Sequence, residues 1–580
     1  MKGLSTMVDD KAVLESARKF ALKNAIDYGK AELGSVLGKV VPLAKGTPIN
    51  ELKAMVSSVI TEVNSMDKEE LAKEYAPFES EFKAREKEIA ESTAVAKITI
   101  AGAQEGNVFT RYPPEPGGYM TLGNAKQCLI SDEMARLYKG KIFLYFDDTN
   151  PEKSKQEYVD GIKRDTAWLG VKFAKEYYAS DYIEKEYEVC KTLISQDHAY
   201  ICTCSPDQIK KNRFDKIECQ HRGQKSEENL SLFSDMLVGK FEEGQAIVRL
   251  KGDMTSPDTT LRDPTIFRIK KTPHYRQGSK YTVWPTYHIN TPLIDNYNGV
   301  TDVARGKEYE IFDESYKLVL KYLGLKVPRL HYMAMLQIKG GMTAHKREIR
   351  KLMKDGVLSK WDDPRLLTVM AMQRRGIQPE AIRAFVLRFG LSRSESVVPI
   401  DMLFAENRKI IDPMAKHLFF VKDPIKIIVG DSVDITVKLK LHPSKEMGVR
   451  EYTTNSEFYI SEEDADMVAD GETIRLKDLM DVKILDRGDY QMTATRNTIS
   501  KEGKIVQWVS DRNYIPCTVL VPKELFDEKG EYMEDSLETV RGFVENYAKN
   551  LKEHDIVQFE RFGYCILDNE ERMEFIFISK

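Results

Sequence analysis

The sequence lacks three features that would each point to a particular class of protein. It contains no run of roughly eighteen consecutive apolar residues, so we expect no membrane-spanning helix. Its N-terminal segment carries acidic side chains and has no apolar core, which is not typical of a secretory signal, and a cytoplasmic location is expected. Its cysteines number seven, and three of them cluster with a histidine, which favours reduced thiols or a metal site over a disulfide framework.

An excess of charge of one sign is also missing. The chain has 87 Lys and Arg residues against 91 Asp and Glu residues, which gives a formal net charge of −4. This balance argues against DNA as a partner and against a protein that binds nucleic acid through its overall charge. A local basic face would still suffice for binding RNA.

The 580 residues are too many for one hydrophobic core, and their patterns divide the chain into three regions. Residues 1–93 have apolar side chains at helical spacing and predict a helical appendage, with a turn region at 33–41 and 45–50 and a second helical stretch at 51–66. Residues 94–395 alternate short apolar strands with helices, which predicts a parallel α/β sheet. Residues 396–580 alternate as β-strands do, with one late helix predicted near 536–551. The predicted fold class is therefore α/β plus β.

The most informative segment is a strand, a loop and a helix around residue 115. A short β-rich run at 108–111 leads into a loop rich in proline and glycine at 113–118. A helix is predicted to begin near Thr121 and to end before Gly140. The free N–H groups and positive dipole end of a helix N-terminus favour phosphate, and Gly123 would let a nucleotide approach the backbone closely.

In this segment an Arg, three prolines, Gly-Tyr and Gly-x-Ala-Lys stand in fixed register. The pattern resembles the signature of the glutamyl/glutaminyl branch of class I aminoacyl-tRNA synthetases. Four further segments match that family in order, at residues 146–151, 284–308, 361–366 and 557–564. The resemblance covers roughly residues 100–580. The helical appendage is similar to that of archaeal members, so the chain resembles the archaeal and eukaryotic-like branch of glutamyl-tRNA synthetases.

The resemblance implies a Rossmann-like catalytic domain, interrupted by an insertion at about residues 202–273. In the family this insertion meets the acceptor end of tRNA. The region from residue 396 onward would form two β-barrels that recognise the anticodon. The activity implied is ATP-dependent activation of L-glutamate to glutamyl-adenylate, followed by transfer to the 3′ end of tRNA(Glu) for protein synthesis.

Four residues are implied to bind the amino acid. Arg111 would hold a carboxylate with its guanidinium fork, Asp147 would bind the α-ammonium group, and Tyr287 would line the pocket. At the place of Arg305 glutamate enzymes carry Arg, whereas glutamine enzymes carry a small uncharged residue. A buried guanidinium that faces a carboxamide lacks its counter-charge, whereas a γ-carboxylate pairs with it. Arg305 therefore favours glutamate over glutamine.

ATP, which enters with Mg²⁺, would meet two signature loops. The second falls at residues 343–347, where Lys346 and Arg347 match the family and would neutralise the leaving pyrophosphate. The predicted catalytic residues are Thr121, Asn124, Lys346 and Arg347. The ATP-binding residues implied by the resemblance are Pro114, Glu115, Thr121, Gly123, Asn124, Lys126 and Lys346.

Four positions depart from the family's common pattern. Thr121 replaces a histidine, His345 replaces a serine, Tyr145 stands where arginine is usual, and His288 stands where aspartate is usual. Thr121 by itself is also typical of an ordinary helix N-cap. Two alternatives therefore stay open: a glutamine–tRNA ligase, which Arg305 disfavours, and a catalytically impaired tRNA-binding paralogue.

A separate signal is the pair Cys202-x-Cys204 followed by Cys219-x-His221. Three thiolates and an imidazole suit tetrahedral Zn²⁺, and four protein ligands leave no open position, so a structural ion is expected. Some glutamyl-tRNA synthetases carry a similar set at the same place in the insertion. The alternative is a group of buried free cysteines.

The expected partners are thus tRNA(Glu), L-glutamate and ATP, with no DNA, no membrane and a monomeric chain. The sequence leaves open whether tRNA(Gln) is also charged and whether activation needs bound tRNA. The role of the helical appendage is open as well.

Overall fold

The structure is a computed structural model that describes residues 10–41, 48–67, 70–79, 82, 98–338, 346–430, 434–488, 491–497, 503–527 and 530–580. The chain divides into two compact units, Met1–Ala94 and Val95–Lys580. None of the helices in these ranges combines the length and the apolar character that a membrane span requires.

The first unit is helical, as predicted. Its helices are α1 (Asp10–Tyr28), α2 (Leu33–Val40) and α3 (Ile49–Asn64), and residues 70–79 are helical too. The turn predicted at 33–41 is wrong, because this stretch forms α2. Val36 and Val40 lie four residues apart and both are buried against the other helices, so helical burial outweighs the cost of two glycines.

The second unit begins with alternating strands and helices. Its first strands are β1 (Phe109–Tyr112), β2 (Lys141–Phe146), β3 (Lys175–Tyr178), β4 (Ala199–Cys202), β5 (Ile247–Leu250), β6 (Thr265–Ile269), β7 (Val283–Pro285), β8 (Asp302–Gly306), β9 (Arg329–Met333), β10 (Leu336–Ile338) and β11 (Ser396–Val398). Its helices to this point and just beyond are α4 (Leu122–Leu137), α5 (Gln156–Trp168), α6 (Ile183–Ser195), α7 (Pro206–Asp215), α8 (Ser226–Leu237), α9 (Tyr287–Tyr297), α10 (Asp313–Tyr322), α11 (Lys346–Lys354), α12 (Val369–Arg374), α13 (Pro379–Leu387) and α14 (Asp401–Ile411).

A parallel sheet positions the site. Strands β1, β2 and β3 pair in parallel, with β2 in the middle. Strands β8 and β9 also pair in parallel, and they meet the first sheet where the Thr301 N–H donates to the Phe109 carbonyl at 2.9 Å. This is the α/β arrangement predicted from the sequence. A separate antiparallel sheet in the order β4-β5-β6-β7 spans residues 199–285.

The rest of the unit is almost entirely β. The strands are β12 (Lys416–Leu418), β13 (Phe420–Lys422), β14 (Pro424–Gly430), β15 (Ile435–Lys440), β16 (Val449–Thr454), β17 (Glu457–Ser461), β18 (Thr473–Leu476), β19 (Met480–Arg487), β20 (Gln491–Asn497), β21 (Lys504–Val506), β22 (Val509–Ser510), β23 (Tyr514–Pro522), β24 (Leu537–Glu545), β25 (Ile556–Phe559), β26 (Gly563–Asn569) and β27 (Glu574–Ser579), with one short helix, α15 (Glu462–Asp466).

Strands β15 and β16 pair in a separate two-stranded sheet, and the other strands of this β region form two seven-stranded sheets, with orders β21-β18-β19-β20-β14-β17-β22 and β12-β25-β26-β27-β23-β24-β13. They form barrel-like layers, each around its own apolar core. The late helix predicted at 536–551 is wrong, because most of this stretch is β24, followed by a 3₁₀ turn at Asn546–Asn550. Val540 and Val544 are buried while Thr539 and Arg541 are exposed, which is the alternation of a strand.

Candidate active site

Two cavities lie side by side at the carboxyl ends of the parallel strands, where open α/β sheets bind their ligands. The larger has a volume of about 580 Å³ and the smaller of about 330 Å³. Asn124, Gln127, Glu308 and Tyr309 line both of them. The acidic and basic side chains that line the larger cavity are Arg111, Glu115, Asp147, Arg305 and Glu308.

Arg111, near the end of β1, lines the larger cavity and is 2% exposed. Its Nε donates to Asp295 Oδ1 at 3.0 Å and its Nη2 to Asp295 Oδ2 at 3.4 Å. Asp295, in α9, is fully buried and also accepts a hydrogen bond from the Tyr316 hydroxyl at 3.0 Å. Burial opposes the charge of Arg111, but Asp295 outweighs it and raises the pKa of the guanidinium. Arg111 is therefore a buried, paired cation.

Arg305, in β8, is equally buried at 2% exposure and lines the same cavity. Its Nη1 donates to the Tyr287 hydroxyl at 2.9 Å, and its Nη2 donates to Asp313. Its buried Nε has no hydrogen-bond partner in the described part of the chain. The predicted neighbours Arg305 and Tyr287 are thus in contact, and Arg305 carries a counter-ion of its own.

Asp147 directly follows β2 and lines the larger cavity. Its N–H donates to the Pro114 carbonyl at 3.1 Å, and its carboxylate accepts from the Thr149 hydroxyl at 3.1 Å. Burial raises the pKa of Asp147 to about 6, and the nearby charge of Glu115 acts in the same direction. The cavity therefore holds a carboxylate with no cation bonded to it among the described residues.

Asp148 and Asn150, which follow Asp147 in the acidic turn, have structural roles. Asp148 is fully buried, and its carboxylate accepts from the Ser180 N–H and hydroxyl, both at 2.8 Å, and from the Tyr275 hydroxyl at 3.1 Å. Asn150 accepts from the Glu152 N–H at 3.2 Å and so caps the following turn. Asp147 is thus the member of the turn that is available to a ligand.

The first signature loop, at residues 121–124, begins helix α4 with a capping box. The Asn124 N–H donates to the Thr121 hydroxyl at 3.5 Å, and the Thr121 N–H donates to Asn124 Oδ1 at 3.1 Å. Because Oδ1 is used by the cap, the amide Nδ2 of Asn124 keeps its donors for the cavities that Asn124 lines. Thr121 thus has the N-cap role that its residue type predicted, and it lines the smaller cavity.

Gly123 and Lys126, both predicted to bind ATP, line the smaller cavity. A Cβ added to Gly123 would meet only the Thr121 hydroxyl, at 3.8 Å, so the protein itself leaves room for a side chain there. Lys126 is buried, and its Nζ donates to the Ala334 carbonyl at 2.7 Å. Burial lowers the pKa of Lys126 to about 8. Its ammonium group ties α4 to the segment after β9.

The remaining predicted ATP and catalytic positions differ in what the structure describes. Pro114 and Glu115 line the larger cavity. Lys346 and Arg347 are the first residues of α11, and their side chains lie outside the described parts of the chain, as do residues 343–345. Further along α11, Arg350 donates to the Gly117 carbonyl, which links this helix to the proline- and glycine-rich loop.

Residues 107–412 match the family model described as tRNA synthetases class I (E and Q), catalytic domain. Residues 415–499 and 505–568 match two models described as tRNA synthetases class I (E and Q), anti-codon binding domain. The chain belongs to this family.

Relatives within the class I glutamyl/glutaminyl family are similar over their full length. A glutamate–tRNA ligase from Nitrosopumilus maritimus is 35% identical over 576 residues, covering 98% of this chain and 99% of the relative. One from Pyrococcus furiosus is 36% identical over 580 residues, covering 97% and 98%. A crystal structure of a glutamate tRNA ligase from Elizabethkingia meningosepticum aligns with a TM-score of 0.38 at 15% identity, over 53% of this chain and 70% of that one.

The family's motifs predicted some of the residues that line the pocket, but they did not predict the carboxylates that pair with its arginines or part of its wall. Five residues were not predicted: the carboxylates Asp295 and Asp313, which pair with the two arginines, and the wall residues Gln127, Glu308 and Tyr309. Arg111 and Asp295 are 184 positions apart, so no local pattern could pair them. For Glu308 a signal existed, since it belongs to the same matched segment as Arg305.

The predicted zinc ligands come together at the end of β4. Cys219 Sγ lies 3.6 Å from Cys202 Sγ, 3.5 Å from Cys204 Sγ and 3.2 Å from His221 Nδ1. All four ligand atoms lie within 4.8 Å of one another. Ligands of tetrahedral zinc at about 2.3 Å stand roughly 3.8 Å apart, so the four atoms fit one ion. The Thr203 hydroxyl contacts His221 Nε2 at 3.1 Å, so the ring presents Nδ1 to the group.

A second cluster of this kind, formed by Asp412, His417 and His442, does not suit a metal. His442 Nδ1 accepts the N–H groups of Ser444 at 3.1 Å and Lys445 at 3.0 Å. The ring proton is therefore on Nε2, which donates to the Asp412 carbonyl at 3.1 Å. Neither nitrogen of His442 keeps a lone pair for an ion.

Proposed function

We propose that this member of the family is a glutamate–tRNA ligase, which activates L-glutamate with ATP and transfers it to the 3′ end of tRNA(Glu). The observation that carries the proposal is the buried guanidinium of Arg305 at a cavity that also contains Arg111 and Asp147. The full-length similarity to proteins named glutamate–tRNA ligase supports it.

In this proposal the larger cavity binds glutamate. Asp147 accepts the α-ammonium group, for which a carboxylate that has no cation bonded to it among the described residues is a strong acceptor. Arg305 and Tyr287, which are already hydrogen-bonded to each other, receive the γ-carboxylate. Arg111, in β1, faces a carboxylate of the substrate. The α-carboxylate is then held beside the smaller cavity, where it can attack the α-phosphate of ATP.

The smaller cavity binds ATP, which class I synthetases use with Mg²⁺. Gly123 gives close access to the backbone of α4, whose N-terminus attracts phosphate. Asn124 Nδ2 supplies donors where the two cavities meet. Lys346 and Arg347 would add positive charge for the leaving pyrophosphate. The protein thus positions the reactants and stabilises phosphate charge while glutamate supplies the nucleophile.

Three further assignments belong to the proposal. The insertion meets the acceptor end of tRNA, and the two β-barrels, which match anticodon-binding domains, recognise the anticodon of tRNA(Glu). The Cys202, Cys204, Cys219 and His221 group would hold a structural zinc ion that ties β4 to the turn after α7. A monomeric state and a cytoplasmic location stay predictions from the sequence.

A second candidate is glutamine–tRNA ligase, and one observation favours it. Asp313 already neutralises Arg305, so a carboxamide in the pocket would not face an uncompensated guanidinium. The pocket is therefore less selective for a carboxylate than Arg305 alone would make it.

Aminoacylation of total tRNA with labelled glutamate, and separately with labelled glutamine, decides between the two. We expect glutamate charging in the presence of ATP and Mg²⁺, with tRNA(Glu) as the acceptor. Charging with glutamine alone would overturn the assignment from Arg305. No charging by protein that still binds tRNA would favour the impaired paralogue suggested by Thr121 and His345.

A further inference from the structure

One acidic side chain next to the pocket has no task in the proposed function. Asp313, the first residue of α10, accepts hydrogen bonds from Arg305 Nη2 and from the Tyr332 hydroxyl. Its side chain is 17% exposed, compared with 2% for that of Arg305. Asp313 does not line the larger cavity, whereas Arg305 does. The guanidinium therefore stands between the cavity and this carboxylate.

This arrangement changes the charge that a ligand meets. Arg305 is matched by Asp313, and Arg111 is matched by Asp295, so both cations of the lining are already neutralised. A substrate γ-carboxylate placed against Arg305 also feels the repulsion of Asp313, which bonds the same guanidinium from behind the cavity wall. Arg305 therefore attracts a carboxylate less strongly than an unpaired guanidinium would.

The Arg305–Asp313 pair also stabilises the site when no substrate is bound. A buried guanidinium without a counter-ion is strongly destabilising. Asp313 removes that cost, and together with Tyr287 it fixes two of the three guanidinium nitrogens. The third, Nε, is buried without a partner among the described residues, so hydrogen-bonding capacity is left over.

We propose that Asp313 is a specificity-determining residue of the amino-acid pocket, which holds Arg305 in place and weakens its preference for a side-chain carboxylate over a carboxamide. Asp313 acts through Arg305 and touches no substrate atom. The inference rests on the proposed function, since it takes glutamate and glutamine as the competing ligands.

The test is the isosteric variant Asp313→Asn, which keeps an acceptor for Arg305 and removes the charge. We expect its KM for glutamate to fall about tenfold while kcat and the KM for ATP stay unchanged. The ratio of glutamate to glutamine kcat/KM should rise by about the same factor. An unchanged or higher KM for glutamate in folded protein would overturn the proposal.

The matched control is Glu314→Gln. Glu314 is the next residue of α10, is 59% exposed and pairs with Lys317 at 2.7 Å. It removes the same charge from the same helix terminus, so it separates an effect on Arg305 from an effect on the helix dipole. We expect all kinetic constants of this variant to stay within twofold of the wild type, roughly the size of a surface charge effect.

A second variant keeps the proposal testable if Asp313→Asn does not fold. Tyr332→Phe removes the other donor to Asp313 together with a long contact of 3.5 Å in which the Tyr332 hydroxyl accepts from Arg305 Nη2, and it leaves the full charge of the Asp313 carboxylate to act on Arg305. The expected change has the opposite sign, a rise of about threefold in the KM for glutamate. A fall would overturn the proposal. Aminoacylation by the wild-type protein is measured separately. If the wild type does not charge glutamate at all, the result contradicts the proposed function rather than the role of Asp313.

Discussion

Two buried arginine–carboxylate pairs in this molecule share their chemistry and differ in their surroundings. Arg305–Asp313 borders the larger cavity, whereas Arg450–Glu545 joins β16 to β24 in the β region, with 2% and 4% of its side chains exposed. Glu545 accepts from Arg450 Nε and from the Phe419 N–H, each at 2.6 Å, and from Tyr452 at 2.5 Å. Within the described ranges Arg305 has a buried nitrogen without a partner, and neither member of the β-region pair does.

The difference separates two uses of the same interaction. The protein completes the hydrogen bonding of the β-region pair, so the pair fixes the register of strands and has nothing left for a ligand. The cavity pair is incomplete, because Arg305 Nε has no hydrogen-bond partner among the described residues. Burial alone therefore does not separate Arg305 from Arg450, whereas the position of Arg305 at a cavity and its unsatisfied nitrogen do.

The largest effect should come from breaking the cavity pair. Arg305→Cys should lower kcat/KM for glutamate by about four orders of magnitude, about 5.5 kcal/mol, because the γ-carboxylate then loses the cation beside it while Asp313, behind the cavity wall, keeps its negative charge. Aminoacylation kinetics measure the loss. The control is Arg329→Cys, which removes an arginine paired with Asp302 outside both cavities. A loss of less than tenfold in Arg305→Cys would contradict the assignment of glutamate as substrate.

Breaking the β-region pair should act on stability and leave glutamate binding intact. Glu545→Ala leaves Arg450 buried without its counter-ion and should cost about 3–5 kcal/mol of local unfolding free energy. Hydrogen exchange of β16 and β24 measures this directly, which suits a chain of several domains. On the same strand Glu538→Ala, whose exposed pair with Lys523 spans 3.1 Å, should cost less than about 1 kcal/mol. Equal costs for the two variants would contradict the distinction.

The motifs in the sequence predicted Arg305 of the cavity pair and the residues around it. The strand, loop and helix around residue 115 and the segment around Arg305 have fixed spacing, so their residues could be placed together without a structure. Asp313 lies eight positions after Arg305, yet no pattern marked it, because its role depends on how α10 packs behind β8. Asp295 and Glu545 are paired with distant residues, and such pairs depend on tertiary contacts.

The errors in secondary structure have the same origin. Two glycines in 33–40 suggested a turn, but the burial of Val36 and Val40 on one face stabilises a helix. Residues 537–545 hold charged residues at intervals that also fit a helix, but neighbouring strands pair with both edges of β24. In both cases the packing partner decided the structure, and a single sequence does not reveal that partner.

The group of Cys202, Cys204, Cys219 and His221 is a third cluster of polar side chains, and its members contact one another. We expect about one zinc ion per chain, measured by elemental analysis of purified protein. Thr203→Val should weaken zinc binding by about 10- to 100-fold, because the hydroxyl that orients His221 is lost. Cys219→Ser should abolish binding, since it removes a central ligand. A folded, metal-free wild type would leave the alternative of free buried cysteines.

A smaller effect should follow from filling the open side of the smaller cavity. Gly123→Ala meets no protein atom closer than 3.8 Å and should slightly stabilise α4, so a rise of about tenfold in the KM for ATP would reflect the ligand alone. The KM for glutamate should not change. Gly38→Ala in α2 is the matched control, because a Cβ there meets nothing within 4 Å and Gly38 lines neither cavity. Unchanged ATP binding in Gly123→Ala would mean that the phosphates do not approach α4 here.

The smallest expected effect is the pH dependence of the KM for glutamate, which tests Asp147, a carboxylate with no cation bonded to it among the described residues. Burial raises the pKa of Asp147 to about 6, so this carboxylate gains a proton as the pH falls through that value and loses its attraction for the α-ammonium group. The KM for glutamate should therefore rise about fourfold between pH 7.5 and pH 5.5, a range in which the glutamate side chain, with a pKa of about 4.3, stays ionised. Asp148 also has a pKa raised to about 6 by burial, so the wild-type profile alone does not identify the group. The variant Asp147→Asn identifies the group, because it should raise the KM for glutamate at pH 7.5 and flatten the pH dependence of this KM. If the pH dependence keeps its slope in the variant, the titrating group is Asp148, and the α-ammonium group of glutamate has lost its proposed partner.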